Sequence, residues 1–497
     1  MKTKAKKLVT LILTALLVLS ILPMNVFAAQ IGADSKASIT INNAVENDVL
    51  AAYKVIDIAY NGGNNTLSYA WNSDFADYFA GTTSYNSTAY TVEQFAALTN
   101  DSDTLKSLLA GLPKYIANRT IAPVGSTQTV DADGTATFAN LAMGEYFIRP
   151  TSTTSVYQLM LQKVEPTVVS GKYVIDDVTF SAKHEEVTVD KSADKTSVTK
   201  GEKVTYTITV DIPTYAAQAT DKSFYVADLL PDGLTIDPAS IKVQIGEANV
   251  DTAAYTLDTT ATAAYTFKLS VDTDKYAASW SASGGKQLVI TYTATLNDNN
   301  TTQVNTKETN TVTFDYSNYP YVENSHAQKT AAVDVTTFAI KIDKYVQGHS
   351  DQKLSDAKFE LYRTATAAEV GEGTSVEIPH TSIQGIKLEG DLTTDNNGAA
   401  TFAKYEANGD KYDYYLVETQ APSGYNLLDN AVKVNFTDAE VEATDGVYTV
   451  EVPNSSGIKL PVTGGTGTVI FTIIGIALMV GAVVLFVVSR KKAEESK

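Results

Sequence analysis

The chain has 497 residues, a formal net charge of −19 and no cysteine; at about 150 residues per domain, that length predicts roughly three domains. The acidic balance excludes a nucleic-acid partner, because phosphate backbones are bound by clustered Lys and Arg, and it suits an extracellular surface. A hydrophobic share of 44% fills ordinary cores and is too high for a disordered polypeptide.

Residues 1–28 read as a secretory signal peptide. Lys2, Lys4, Lys6 and Lys7 form a basic head, Leu8 to Leu22 an apolar run, and Val26-Phe27-Ala28 a small-residue exit, with cleavage expected after Ala28. The apolar run is too short for a membrane anchor and ends at Pro23. A secreted protein of this size without cysteine relies on its cores alone, or on a covalent staple other than a disulfide.

Residues 29–458 read as all-β. Val204, Tyr206, Ile208 and Val210 share one face of a period-two strand, and 286–292 and 311–316 repeat the pattern. Turn signals such as Pro231-Asp232-Gly233 and Asn396-Asn397-Gly398 recur at strand-like spacing. Many short strands with regular turns predict tandem β-sandwiches, with boundaries near 183 and 330: domains at 29–183, 184–330 and 331–458. A helical exception lies at about 91–117, where Val92, Phe95, Leu98, Leu105, Leu108, Leu109 and Leu112 follow helical spacing with a break near Asn100-Asp101. These helices are expected to decorate the first domain. Asp133-Gly134-Thr135-Ala136-Thr137-Phe138 recurs as Asn397-Gly398-Ala399-Ala400-Thr401-Phe402, so the first and third domains are expected to share a fold. The run from Asp131 to Gly134 lacks the further acidic ligands of a calcium loop and reads as a hairpin turn.

Two lysines open domains inside apolar strands: Lys191 after Val187 and Val189, and Lys344 after Ile340 and Ile342. Each domain closes on an asparagine, Asn310 and Asn454, and holds an acid between, Asp228 and Glu418. If first and last strands meet in a sandwich core, burial favours a neutral, nucleophilic amine and a protonated acid. The amine can then displace ammonia from the asparagine amide. Joining residues 191 to 310, or 344 to 454, closes loops of roughly 100 residues, worth about 4–5 kcal/mol by the disulfide analogy. Read singly, each set also fits solvated strand-end residues, but the order Lys, acid, Asn occurs twice.

At the C-terminus, Leu460-Pro461-Val462-Thr463-Gly464 precedes an uncharged run at 468–488 and the basic residues Arg490, Lys491 and Lys492. The run is long enough, at about 31 Å of helix, to cross a bilayer, and the basic tail holds its end in the cytoplasm. Motif, span and tail in this order resemble the sorting signal of Gram-positive surface proteins. In that family a sortase cysteine attacks the Thr–Gly bond, here Thr463–Gly464, leaving an acyl-enzyme for an amine; Leu460 and Pro461 complete the recognition motif.

Tyr414 to Tyr425 matches the E-box of Gram-positive pilins, Tyr-x-Leu-x-Glu-Thr-x-Ala-Pro-x-Gly-Tyr. The secreted region, about 29–465, therefore resembles a major (backbone) pilin of the three-domain, sortase-polymerised kind. The resemblance implies immunoglobulin-like sandwiches, the first and last of the collagen-adhesin B-type. It implies Lys–Asn isopeptide bonds at Lys344 with Asn454, served by Glu418, and at Lys191 with Asn310, served by Asp228. In the first domain Arg149 stands where Glu418 stands in the last, so no bond is expected there. The family joins the sorting Thr, here Thr463, to a Lys of the next subunit that ends a Val-Tyr-Pro-Lys segment. Val178 to Lys183 takes that place with Ser181-Ala182 for Tyr-Pro, making Lys183 the expected acceptor.

The implied location is the cell wall, as a peptidoglycan-anchored pilus. The implied partners are pilin-class and wall-anchoring sortases, identical subunits, peptidoglycan and ancillary pilins, with a host ligand left open. The membrane is met only transiently, through the C-terminal helix. No cofactor, metal or enzymatic activity is implied. The alternatives are a wall-anchored adhesin or ancillary pilin attached once, and a wall-anchored enzyme. Against the enzyme stand four His, no Cys, and no metal-binding or triad-like spacing.

Overall fold

The computed structural model describes residues 31–457 and 466–494, apart from 33, 100–101, 272–279, 281–282, 284–285, 298–306 and 410; side chains at 466–471 and 488–494 are likewise not described. The signal peptide and the sorting motif at 460–464 lie outside the described residues. The chain forms two compact units, the first reaching Thr336 and the second starting at Thr337.

The first unit holds two sandwiches. In the N-terminal one, Lys36–Asn42 lies between Val178–Ser181, to which it is parallel, and Ala136–Ala142, to which it is antiparallel. The facing sheet runs Thr66–Trp71, Val49–Asn61, Gly144–Ser152, Met160–Val164. Its Val49–Asn61 strand is buried on both faces, and alternation sorts the side chains between two cores. Leu50 and Ala52 face the other sheet, whereas Ala51, Tyr53 and Val55 meet the helices.

The predicted helical stretch forms as Val92–Ala96 and Asp103–Arg119, with a further turn at Ala76–Phe79. Thr91 makes a capping box with Gln94, and Ser102 caps the long helix by accepting from Leu105 N. These helices are more than the expected decoration. Phe79, Phe95, Leu105, Leu109 and Leu112 seal the outer face of the sheet, giving a three-layer domain.

In the middle sandwich one sheet runs Val189–Ala193, Lys203–Asp211, Gln287–Leu296, Leu234–Ile245, Ala248–Asn249. The other runs Thr256–Asp258, Phe267–Val271, Phe224–Leu229, Lys307–Ser317, His326–Thr336. Val204, Tyr206, Ile208 and Val210 are all fully buried, as their period-two spacing predicts. The two sandwiches are joined tightly. His184–Glu185 pairs with Val156–Tyr157, Tyr319 and Tyr321 enter the core of the N-terminal sandwich, and Asn318 donates to Thr153 O at 2.6 Å.

The second unit repeats the N-terminal plan without its helices. Phe338–Val346 lies parallel to the closing strand Val447–Asn454 and antiparallel to Ala399–Tyr405. The facing sheet runs Val376–Glu377, Gln384–Thr393, Lys358–Thr364, Tyr414–Gln420, Val432–Val434. The recurring sequence is a recurring turn. Asp131 accepts from the backbone of Asp133 and Thr135, and Asp395 from that of Asn397 and Ala399. The glycines that follow have φ of 74° and 72°. In each copy the glycine carbonyl accepts a backbone N–H, Gly134 from Ala44, two residues past the opening strand, and Gly398 from Lys344 within it.

A C-terminal helix spans Thr466–Glu494, and Ile473, Leu478, Leu485 and Val487 lie exposed on it. Among the described residues no helix is long and apolar enough to cross a membrane. The span at 468–488 therefore rests on the sequence.

Candidate functional site: two buried clusters of lysine, carboxyl and asparagine

In Phe338–Val346 alternate residues point inward, and Lys344 follows Ile340 and Ile342 into the core. The parallel register sets Lys344 opposite Val452 and Val346 opposite Asn454, so both side chains project from neighbouring strands of one sheet. Glu418 comes across from the facing sheet, in a strand buried from Tyr414 to Glu418. Lys344, Glu418 and Asn454 are at most 1% exposed.

The three side chains touch one another. Lys344 Nζ donates to Asn454 Oδ1 and lies 3.1 Å from Glu418 Oε1. Asn454 Nδ2 donates to the same Oε1 at 2.8 Å, and Leu428 N fixes Oε2 at 2.8 Å. One carboxyl oxygen thus touches both the Lys344 amine and the Asn454 amide nitrogen. Burial pulls the Lys344 amine below its usual range, against the opposing pull of Glu418. The ring of Phe359 closes the site 5.5 Å from Nζ.

The middle sandwich brings the same three kinds of side chain, lysine, carboxylic acid and asparagine, together across its two sheets. Lys191 sits in Val189–Ala193, whereas Asp228 and Asn310 sit in Phe224–Leu229 and Lys307–Ser317 of the facing sheet. Lys191 is 6% exposed, and Asp228 and Asn310 are fully buried. Lys191 Nζ donates to Asp228 Oδ2. Burial pushes the Asp228 carboxyl up and the Lys191 amine down, so desolvation drives both towards their neutral forms.

Sequence reasoning missed one member. Tyr292 Oη donates to Asp228 Oδ1 at 2.8 Å and accepts from Lys191 Nζ at 3.1 Å and from Asn310 Nδ2 at 2.7 Å. The signal was present: Tyr292 continues the inward set of Leu288 and Ile290, and its ring stacks on the cross-strand Tyr206 at 5.4 Å. Asn310 Oδ1 is buried and has no hydrogen-bond partner among the described residues.

In the N-terminal sandwich Ala44 holds the place of Lys344, since both donate to the carbonyl of the turn glycine. Arg149 is half-buried with its guanidinium 5.7 Å from the Tyr53 ring. Lys183 is half-buried at the junction of the two sandwiches, and its carbonyl accepts from Gln158 N. Leu460, Pro461, Thr463 and Gly464 lie outside the described residues. Among the described residues no group of His, Cys, Asp and Glu could hold a metal ion.

Residues 338–447 match the prealbumin-like fold domain of the SpaA family model, and 452–495 match the LPXTG cell wall anchor motif. The chain is 25% identical over 413 residues to the fimbrial subunit type 1 of Actinomyces viscosus, covering 73% of this chain and 76% of that one. It shares the fold of the full-length major pilin SpaD of Corynebacterium diphtheriae, with a TM-score of 0.54 and 19% identity over 86% of this chain and 99% of that one. It also shares the fold of the T6 backbone pilin of Streptococcus pyogenes, with a TM-score of 0.56 and 19% identity over 81% and 80% of the two chains.

Proposed function

We propose that this protein is a backbone pilin of the Gram-positive kind: a secreted, wall-anchored structural subunit, joined covalently to its neighbours and stapled internally by Lys–Asn amide bonds. The observation that carries the reading is the contact of Lys344 Nζ with the Asn454 amide beside Glu418, in a core that excludes water. A lysine is buried with a carboxyl and a carboxamide at real cost in desolvation. Reaction removes that cost by replacing an amine and an amide with a single neutral linkage.

In the second unit the neutral Nζ attacks Cγ of Asn454. Glu418, in contact with both nitrogens, carries a proton from Nζ to Nδ2. The Cγ–Nδ2 bond breaks, ammonia leaves, and the Nζ–Cγ amide remains. Lys344 and Asn454 belong to the first and last strands of the unit, so a pull on the chain enters and leaves through the bond and bypasses the sheets between. Lys191 and Asn310 do the same for the middle sandwich by linking its two sheets. Each site turns over once, and the role is structural.

Polymerisation uses the C-terminal signal. A sortase cleaves Thr463–Gly464 after recognising Leu460 and Pro461, and the acyl group passes to Lys183 of the next subunit. The anchor match supports the first step, and the position of Lys183 at a junction of two domains supports the second. The last subunit is passed to peptidoglycan. The uncharged run at 468–488 and the basic residues after it hold the precursor at the membrane until cleavage.

The test is electrophoresis of wall extracts boiled in detergent. A ladder of high-mass species that Lys183→Ala collapses to a single wall-linked band supports the reading. A single band from the unaltered protein contradicts it.

A further inference from the structure

The two clusters differ in how the acid reaches the amide. In the second unit Glu418 Oε1 lies 3.1 Å from Lys344 Nζ and 2.8 Å from Asn454 Nδ2. In the middle sandwich the matching oxygen is not a carboxyl oxygen. Tyr292 Oη lies 3.1 Å from Lys191 Nζ and 2.7 Å from Asn310 Nδ2, while Asp228 stands behind it at 2.8 Å. Aspartate is one methylene shorter than glutamate, and among the described residues no hydrogen bond joins Asp228 to Asn310. The phenol fills the gap.

We propose that Tyr292 is a catalytic residue of the middle-sandwich reaction, relaying a proton from Asp228 to the leaving nitrogen of Asn310. The proposal rests on the reading of Lys191 and Asn310 as a crosslinking pair. Lys191 Nζ attacks Asn310 Cγ, and the carbonyl π electrons move to Oδ1. Tyr292 gives its proton to Nδ2 as the Asp228 carboxyl reprotonates the phenol. The Cγ–Nδ2 bond breaks, ammonia departs, and the Oδ1 electron pair re-forms the carbonyl. The surplus proton on Nζ passes to Asp228 Oδ2, against which Nζ already rests. Both residues end as they began, and the products are one amide and one ammonia.

The position of the phenol also explains its setting. Its ring is clamped by the Tyr206 ring at an interplanar angle of 24° and by Phe267 edge-on at 5.1 Å. Oη is therefore held between the two nitrogens by packing, with no rotamer search needed at the moment of reaction. A tyrosine that merely filled space would not need three polar partners.

The experiment follows bond formation in the newly synthesised full chain, by pulse-chase sampling with intact mass and peptide mapping, with the Lys344–Asn454 bond as internal control. Tyr292→Phe keeps the ring and removes the relay. It is expected to slow the loss of ammonia at Lys191–Asn310 by about 100-fold or more, leaving the control bond unchanged. Adding Asp228→Glu extends the carboxyl to where Glu418 reaches in the second unit, and is expected to restore most of the rate. A purely packing role would not be rescued in this way. Tyr292→Phe reacting at the unaltered rate overturns the proposal, and so does a folded double variant as slow as the single one. If Tyr292→Phe alone fails to fold, the folded double variant decides by the same criterion. Absence of the Lys191–Asn310 bond in the unaltered protein would instead overturn the crosslink itself.

Discussion

Lys344 and Asn454 extend from two parallel neighbouring strands, two residues out of register, and their side chains meet at the amide oxygen. That offset matters. Directly opposite residues would point the same way but be too close for a long lysine arm to lie between them, whereas the two-residue step gives the lysine chain its length along the sheet. The geometry makes the pair sensitive to anything that moves either strand or removes the carboxyl behind them.

Removing the carboxyl should stop the reaction. Glu418→Ala is expected to leave the second unit heavier by one ammonia than the unaltered protein once the substitution itself is subtracted. It should also lose the loop constraint of about 4 kcal/mol. Intact mass and denaturant unfolding of the variant check both effects.

A Lys191–Asn310 bond would have a proteolytic signature. Trypsin requires a free lysine side chain, so denatured unaltered protein should resist cleavage after Lys191 and Lys344. In Asp228→Ala, cleavage after Lys191 should appear while Lys344 stays protected. Peptide mapping separates the two sites in one digest.

The opening strand of the second unit is held by a glycine. A Cβ at Gly398 would run into the Lys344 carbonyl, and its φ of 72° is unfavourable for other residues. Gly398→Ala is expected to cost at least about 1–3 kcal/mol and to slow the Lys344–Asn454 reaction, because the strand must shift. Unfolding and the rate of ammonia loss measure the two consequences.

His326 contributes to the pH dependence of the first unit. His326 bonds Asp221 at 3.1 Å and Asp315 at 2.6 Å. Those hydrogen bonds raise its pKa from 6.5 to about 9, against a smaller opposing effect of burial. Because the folded value lies above the unfolded one, its stabilisation is complete below about pH 6.5 and is lost as the pH rises through about 9. Burial works to raise Asp221, but hydrogen bonds from His326 and Ser223 outweigh it and hold the group at about 2. Its contribution is present above pH 3.8 and lost as the pH falls through 2. Thermal melts at pH 6 and pH 9.5 should show a drop that His326→Gln flattens.

The sequence carried the second-unit cluster well, because alternation alone turns Lys344 inward after Ile340 and Ile342, and the stretch around Glu418 has a distinctive pattern. It carried the N-terminal domain less well. The helices at Val92–Ala96 and Asp103–Arg119 were visible as periodicity, but their role as a third layer follows from a strand buried on both faces, which reads much like any apolar strand. Tyr292 escaped notice because a tyrosine at an inward strand position looks like core until its hydroxyl is seen between two nitrogens. The plug formed by Tyr319 and Tyr321 lies in a loop, where packing against a distant segment leaves no periodic trace.

The most direct test of the covalent account is tandem mass spectrometry of protein taken from the cell wall. The account predicts two branched peptides, Lys191 joined to Asn310 and Lys344 joined to Asn454, each lighter by one ammonia than its unlinked parts. Recovery of Lys344 as a free amine alongside an intact Asn454 carboxamide would contradict it.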